Sequence, residues 1–253
     1  MGNTLNHMLS EPAASAPRWI DVAPERFPGW IASFGDRHGA VSVRSDAPGP
    51  GPGAQEAGPA AAEPGAPVVF HAADGAIARC HAPFPPAPAL GPAPDADEAA
   101  RVIADHAAAD RTVGVLLVRL GGYAAGVFAG APPRLAASKV GSRLVHGRSA
   151  AGGQSQQRFA RRREKQAAEA LAAAADTAAG VFGRCGRPLD ALVLGGDRRA
   201  VAGLRDDPRL RGYFGVAVER FLTVPDPRLA VLRETPRMFR AIRIQLTEPA
   251  PAP

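Results

Sequence analysis

A short polar tripeptide next to a basic stretch is the part of the sequence best suited to chemistry. Gly152-Gly153-Gln154 is followed by a cationic segment that ends at Lys165. The two glycines let the backbone adopt dihedral angles that a Cβ would forbid. The amide of Gln154 has no proton equilibrium near neutral pH, so it cannot act as a general base. It can orient a water molecule and donate hydrogen bonds to the negative charge that develops during acyl transfer.

Positive charge is concentrated around this tripeptide. Between Arg134 and Lys165 lie nine lysine and arginine residues and a single acid, Glu164, so this segment has a net charge of +8 while the whole chain carries +6. Four of the cations have the i, i+3, i+4, i+7 spacing of one helical face: Arg158, Arg161, Arg162 and Lys165. We expect this face and Arg148 in the preceding loop to bind RNA phosphates without regard to base sequence.

The same helix has a second, apolar face. It is formed mainly by alanine, at positions that recur with helical spacing and predict docking on a sheet: Phe159, Ala167, Ala170, Leu171, Ala174 and Ala178. A run of charged residues such as this one is usually no more than a solvent-exposed face of a helix. Here the cationic face begins beside a glycine-rich tip, which favours a binding surface.

The elements around the tripeptide predict an α/β domain over residues 95–246. A helix at 95–109 precedes Thr112–Arg119, an apolar run typical of a strand buried on both faces. Short turns connect it to strands at 123–129 and 134–140, which makes an antiparallel meander. Two crossover units then follow, built from helices at 156–179 and 198–204 and strands at 190–194 and 216–222. With right-handed crossovers, this order indicates a ribonuclease-H-like fold.

Two further elements are predicted after these units. Asp226-Pro227 resembles an N-cap followed by proline at the first helical position, so a helix should begin there and be kinked or ended by Pro236. The alternation over 241–246 predicts a last strand, and residues 247–253 form a tail.

A small α+β module is predicted over residues 19–94. It has a helix at 24–38 and strands at 40–44, 68–71 and 76–80, the last two joined at the Asp74-Gly75 turn. Residues 1–18 are expected to be a disordered leader. The Pro/Gly/Ala-rich segment 46–67 is expected to be a disordered insertion, because it cannot bury enough apolar surface to offset its ordering entropy.

The composition limits the classes of function. A pI of about 10.3 favours an anionic partner, with nucleic acid ahead of membrane. Because the sequence shows no secretory signal and no apolar run long enough to span a bilayer, we expect a cytoplasmic protein. Cys80 and Cys185 are then expected to be free thiols. The scattered histidines have no ligand spacing, so we expect no metal and no cofactor.

Several short motifs resemble those of known translation factors. The loop and helix are similar to the catalytic region of the eukaryotic/archaeal class-1 peptide release factor, through His146-Gly147-Arg148, Gly152-Gly153-Gln154-Ser155, Arg158-Phe159-Ala160-Arg161 and Glu164-Lys165. Residues 19–246 resemble more closely the Vms-like release-factor (VLRF) family of actinobacteria, through Arg18-Trp19-Ile20, the Trp30 helix ending in Arg37-His38-Gly39, and Pro83-Phe84-Pro85-Pro86.

This resemblance implies a codon-independent peptidyl-tRNA hydrolase that releases nascent chains from stalled ribosomes or large subunits. Gln154 would position the attacking water, and Gly152 and Gly153 would shape the tip. The implied partners are the large ribosomal subunit, rRNA and peptidyl-tRNA, with no membrane partner, and we expect a monomer. Ser149-Ala150-Ala151 lengthens the loop relative to the release factor.

Two other functions stay open at this point. Metal-dependent nuclease chemistry needs several acidic residues to hold two metal ions, and the predicted strands 112–119, 122–128 and 134–140 contain no Asp or Glu. Metal-free cleavage at the tRNA 3′ end remains an enzymatic alternative. The other alternative is a ribosome- or tRNA-binding factor without catalytic activity, which would keep the basic face but release no peptide.

Overall fold

The computed structural model describes residues 16–45, 66–119, 121–143 and 155–249, without the side chains of 45, 155–160, 162 and 163. Most of the predicted leader and insertion, residues 1–15 and 46–65, therefore lies outside the described residues, as does the end of the tail, 250–253. The chain forms two compact units. The first takes its described residues from Met1–Ala82, Pro86–His106 and Ile242–Pro253, and the second comprises Pro83–Pro85 and Ala107–Ala241.

The first unit contains a five-stranded antiparallel sheet with the order β1-β10-β4-β3-β2. Its strands are β1 (Arg18–Val22), β2 (Val41–Ser45), β3 (Val68–Ala72), β4 (Ile77–His81) and β10 (Ile242–Thr247). A short 3-10 helix, Pro24–Arg26, leads into α1 (Phe27–His38), so the predicted helix over 24–38 is confirmed with its first turn tightened. Gly39, with φ 84°, ends α1.

The core of the first unit lies between α1 and one face of the sheet. Phe27, Ile31 and Phe34 recur at helical spacing and are buried. The Phe27 ring contacts Phe70 of β3 edge to face, with ring centroids 6.3 Å apart. Residues in register with Phe70, such as Ala78 of β4 and Leu246 of β10, point to this same side of the sheet.

The predicted turn between β3 and β4 is confirmed. Gly75 has a φ of +91°, which favours glycine. The Asp74 carboxylate accepts a hydrogen bond from the backbone N–H of Ala76 at 2.9 Å and lies 2.8 Å from His38 Nδ1. These two hydrogen bonds lower the pKa of Asp74. The turn is thereby attached to the end of α1.

Long-range strand pairing differs from the sequence expectation. β1 was not predicted as a strand, and the predicted strand 241–246 was assigned to the domain of residues 95–246. In the structure β10 lies between β1 and β4, with Ile20 opposite Ile244 and Ile244 opposite Cys80. Partners more than 150 residues apart leave no local pattern that could reveal the pairing. Cys80 is a free thiol, as is Cys185, and burial raises the pKa of Cys80.

The second unit is built on another five-stranded sheet, with the order β7-β6-β5-β8-β9. β5, β6 and β7 form the predicted antiparallel meander, and β8 and β9 are added parallel to β5. The strands are β5 (Val113–Arg119), β6 (Gly122–Ala129), β7 (Arg134–Ser142), β8 (Ala191–Gly196) and β9 (Ala217–Leu222). Its helices are α3 (Ser155–Gly183), α4 (Arg198–Ala202), α5 (Arg211–Phe214) and α6 (Leu229–Phe239), whereas α2 (Ala96–Ala108), predicted as part of this domain, belongs to the first unit except for its last two residues.

Helices cover both faces of this sheet, so β5 is apolar at nearly every position. Leu116 and Val118 face a core shared with α3 and α4, while Val115 and Leu117 face a core shared with α6. The Phe239 ring of α6 packs edge to face against Phe128, with centroids 5.7 Å apart. The prediction of a strand buried on both faces is confirmed.

The prediction for the start of α6 is wrong. The helix begins at Leu229 and not at Asp226-Pro227. Pro236 does not end it, because the helix continues to Phe239. Proline lacks the N–H that would bond the carbonyl of Leu232. The hydroxyl of Thr235, which is fully buried, donates to that carbonyl instead at 2.7 Å.

We predict that Thr235→Val lowers the free energy of unfolding by about 1–2 kcal/mol, because it leaves the buried Leu232 carbonyl without a donor. In a Pro236→Ala background the new backbone N–H can bond this carbonyl, so the same substitution should cost clearly less. Urea unfolding, followed by far-UV circular dichroism, is measured for the wild type, Thr235→Val, Pro236→Ala and the double variant. The difference between the two costs of Thr235→Val is the coupling energy between the two positions. Equal costs in both backgrounds would contradict the role given to Thr235.

Candidate functional site

The carboxyl ends of four strands meet at one edge of the second sheet, here called the carboxyl edge. β5, β7, β8 and β9 all run in the same direction, because β6 is antiparallel to both β5 and β7. Gly122 at the start of β6 lies opposite both Arg119 and Ser142, the last residues of β5 and β7. In doubly wound sheets this edge is where ligands bind. The basic loop follows β7 there.

Hydrogen bonds hold the strand ends together at the carboxyl edge. The backbone N–H of Arg143 donates to the Gly121 carbonyl at 2.8 Å, and that of Asp197 donates to the Val118 carbonyl at 2.7 Å. The guanidinium of Arg119 donates to the Val224 carbonyl at 3.0 Å. These contacts connect the exit of β7 to the ends of β5, β8 and β9, so the loop departs from a fixed base.

The turn between β8 and α4 is formed by Gly195-Gly196-Asp197. Gly196 has a φ of +99°, and a Cβ there would collide with the backbone of Val118. Asp197 caps α4 by accepting from the backbone N–H groups of Arg199 at 2.8 Å and Ala200 at 3.3 Å. This turn is therefore structural, and its carboxylate is engaged in capping.

The end of β7 is held by an aromatic ring. Tyr123 is 8% exposed and lies opposite Gly141, two residues before the last described position of this segment. A Cβ on Gly141 would come within 2.6 Å of the Tyr123 ring. The φ of Gly141 is not among the positive ones, so glycine serves here to make space. The ring covers the strand just before the loop begins.

α3 is longer than the sheet it packs on. Its 29 residues extend about 43 Å, whereas the seven residues of β5 extend about 23 Å. Among the side chains of α3 that the structure describes, the buried ones begin at Ala170, and the helix contacts β5, β6 and β7. Residues 164–169 are exposed apart from the half-buried Gln166. Six consecutive residues sample every face of a helix, and none of these six is buried.

The amino-terminal half of α3 therefore projects from the sheet. Fifteen residues, 155–169, correspond to roughly 22 Å of helix. Eleven residues connect Arg143 with Ser155, and their greatest extended reach is about 36 Å. A chain of this length can span the distance from the carboxyl edge to the first residue of α3.

An ion cluster anchors the packed half of α3. The guanidinium of Arg209 contacts the carboxylate of Asp176 on α3 and lies 2.6 Å from Asp207 Oδ2. The hydrogen bonds from Arg209 lower the pKa of Asp207. Gly203 at the end of α4 also approaches Leu171, where an added Cβ would come within 3.1 Å of its side chain. α4 and α3 are thereby fixed side by side.

The structure describes only part of the predicted site. Gly152, Gly153, Gln154 and Arg148 lie outside the described residues. Arg158 and Arg162 lie within α3, but their side chains are outside the described part of the structure. Arg161 and Lys165 are exposed and separated by one helical turn on the projecting half of α3. These two side chains are brought together as predicted.

Two features of this region were missed or misjudged from the sequence. Ala167, assigned to the docking face of α3, is exposed because it lies on the projecting half, while Ala170, Ala174 and Ala178 are buried as expected. Arg198 and Arg199 also lie exposed at the carboxyl edge, where α4 begins. Their only sequence signal is their position directly after the Gly-Gly-Asp turn.

The described residues hold no group of three or more His, Cys, Asp or Glu side chains that could bind a metal ion. Among these residues, no helix is both long enough and apolar enough to cross a membrane.

The chain is similar to a known protein family. A family model described as acVLRF1, Actinobacteria/chloroflexi VLRF1 release factor, matches residues 111–245, more than half of the chain. The match covers the second sheet, the basic loop and all of α3. No curated protein matches the chain significantly.

We predict that Gly141→Ala lowers the free energy of unfolding by about 1–3 kcal/mol, because the new methyl group overlaps the Tyr123 ring. Gly180→Ala is the matched control: this glycine lies in α3 with nothing within 4 Å of an added Cβ. It should stabilise the protein by roughly 0.5–1 kcal/mol through helix propensity. Urea unfolding measures both changes, and a neutral Gly141→Ala would show that the ring does not hold this strand.

Proposed function

Because the chain belongs to the Actinobacteria/chloroflexi VLRF1 release factor family, we propose that it is a codon-independent peptidyl-tRNA hydrolase. A release factor acts in translation termination or ribosome rescue and interacts with the ribosome, so the chain's role lies there. The finer proposal is that it releases nascent chains from stalled ribosomes or large subunits. The observation that carries the proposal is the projecting half of α3, which begins directly after Gly152-Gly153-Gln154.

The reaction proposed is attack of water on the ester that joins the nascent peptide to tRNA. A bond forms between the water oxygen and the ester carbonyl carbon, giving a tetrahedral oxyanion. The bond to the ribose oxygen then breaks, and that oxygen takes up the proton lost by the water. Gln154 would orient the water and donate a hydrogen bond to the oxyanion. Gly152 and Gly153 would let the backbone bring this amide close to the ester.

The second sheet supports this proposal as a scaffold. We propose that it is the ribonuclease-H-like fold of a release-factor domain. A three-stranded antiparallel meander followed by two parallel strands in the order β7-β6-β5-β8-β9 has the element sequence expected for it. Here the fold would carry a projecting loop in place of a metal site. The catalytic group then lies on the loop and not on the strands.

The exposed cations of α3 are proposed to bind RNA. Arg161 and Lys165 stand clear of the sheet on a helix whose other end is packed and ion-paired. Arg158 and Arg162 share their helical face by spacing, and Arg148 lies in the loop. Phosphate contacts of this kind position a protein without reading base sequence. They would guide the tip into a cavity lined by rRNA and tRNA.

We predict that Gln154→Ala lowers the rate of peptide release by about a hundred- to a thousand-fold, because one oxyanion donor is lost. Labelled peptidyl-tRNA bound to large ribosomal subunits is the substrate, and single-turnover release is measured alongside binding. Gln157→Ala, the same change three residues into the sequence of α3, is the control. If the wild-type protein binds the subunits but releases no peptide, the hydrolase proposal is wrong and the chain is a non-catalytic binding factor.

We predict that Arg161→Gln combined with Lys165→Gln weakens binding to these subunits and lowers the slope of log affinity against log salt by about one for each phosphate contact removed. The matched control removes the same charge at the opposite end of α3, with Arg184→Gln and Arg187→Gln, two exposed positions. Equal effects of the two pairs would mean that net charge, and not the projecting face, governs binding.

A further inference from the structure

An exposed tryptophan lies on the face of the first sheet that points away from α1. Side chains alternate across a strand, so Trp19 of β1 points away from the face that packs on α1. Gln245 of β10 lies directly opposite Trp19, and Arg79 of β4 lies opposite Gln245. One pair further along, Arg243 of β10 lies opposite His81 of β4. These five residues, Trp19, Arg79, His81, Arg243 and Gln245, are here called the Trp19 platform.

The exposure of Trp19 is unusual for its type. Its side chain is 48% exposed, the most exposed of the large hydrophobic residues that the structure describes. Tryptophan is highly buried on average, and when it lies at a surface it is enriched at binding interfaces. A threonine or valine would serve a strand equally well. Trp19 therefore calls for a reason other than the stability of β1.

The indole is held in place by its neighbours. The guanidinium carbon of Arg243 lies 4.2 Å from the Trp19 ring centroid, within the range of a cation–π contact. The His81 ring lies 5.5 Å from the indole at an interplanar angle of 45°. A side chain already fixed in this way loses little rotational freedom when a ligand stacks on it. The platform is preorganised.

The chemistry of the platform matches a nucleotide. A nucleobase can stack on indole or on a guanidinium plane, and an amide such as that of Gln245 can hydrogen-bond a base edge. Arg79 and Arg243 offer positive charge to a phosphate, and Asp21, on the same face, lies opposite Arg243. A duplex keeps its bases stacked inside, so only unpaired RNA can use an exposed ring.

We propose that the Trp19 platform binds single-stranded RNA by stacking an unpaired base on Trp19. Arg79 and Arg243 contact the flanking phosphates, and Gln245 bonds the base edge. The arrangement resembles other sheet surfaces on which aromatic side chains stack bases. The platform is in the first unit and does not require that the loop of the second unit hydrolyse peptidyl-tRNA. It gives the first unit a binding role of its own.

Fluorescence of a single tryptophan tests the proposal. The chain has two tryptophans, Trp19 and Trp30, and Trp30→Phe leaves Trp19 as the only one. Titration of this full-length variant with oligouridylate should quench its emission, while duplex RNA of the same strand length should not. Trp19→Leu should weaken binding of labelled oligouridylate by about tenfold, the typical loss for one stacked base. Trp19→Phe, which keeps a ring, should recover part of that loss.

Three results would overturn the proposal. They are emission that stays unchanged when anisotropy shows that the RNA is bound, equal quenching by duplex RNA, or unchanged affinity in Trp19→Leu. Quenching by ribosomal proteins freed of RNA, but not by oligouridylate, would assign the platform to a protein partner.

A double variant, Arg161→Gln with Lys165→Gln, distinguishes the Trp19 platform from the cationic face of α3. It should weaken overall RNA binding, while the oligouridylate that is bound still quenches Trp19. Loss of peptide release in Gln154→Ala should leave this quenching intact.

Discussion

The difference in length between α3 and the sheet beneath it is the constraint on which the candidate site depends. Residues 170–182 bury alanine, valine and phenylalanine side chains against the meander, and Arg209 adds an ion pair to Asp176. In the preceding part of the same helix, none of the described side chains, 161 and 164–169, is buried. Helical hydrogen bonding transmits the position of the packed half to the free half. The packed half can therefore hold the first residue of α3 roughly 22 Å from Ala170.

Small residues make this attachment possible. The buried side of α3 is mostly alanine, which lets the helix approach the sheet closely, and Gly141 leaves room for the Tyr123 ring at the exit of β7. Each contact buries little area, so stability depends on close packing of many atoms and not on large side chains. Hydrogen bonds from Arg143, Asp197 and Arg119 then fix the strand ends. The loop departs from a rigid base although its own composition is flexible.

Local patterns in the sequence predict the elements that local physics determines. The apolar run Thr112–Arg119 required burial on both faces, and Asp74-Gly75 required a turn; both are present. β1 was missed because its partner, β10, lies more than 200 residues away. The proline signals at Pro227 and Pro236 did not mark the ends of α6, which begins at Leu229 and continues past Pro236, where the Thr235 hydroxyl donates locally to the Leu232 carbonyl. At the site, the sequence predicts two exposed cations, Arg161 and Lys165, but not the ring over Gly141.

The most direct measurement of the central claim is the fate of the ester in water enriched in oxygen-18. Peptidyl-tRNA on large subunits is incubated with the wild-type protein, and mass spectrometry examines the peptide carboxyl group and the tRNA 3′ end. Ester hydrolysis predicts one heavy oxygen in the released carboxylate and an intact tRNA. A shortened tRNA, with the peptide still esterified to its terminal nucleotides and no heavy oxygen in that ester, would contradict the account and assign the loop to RNA cleavage.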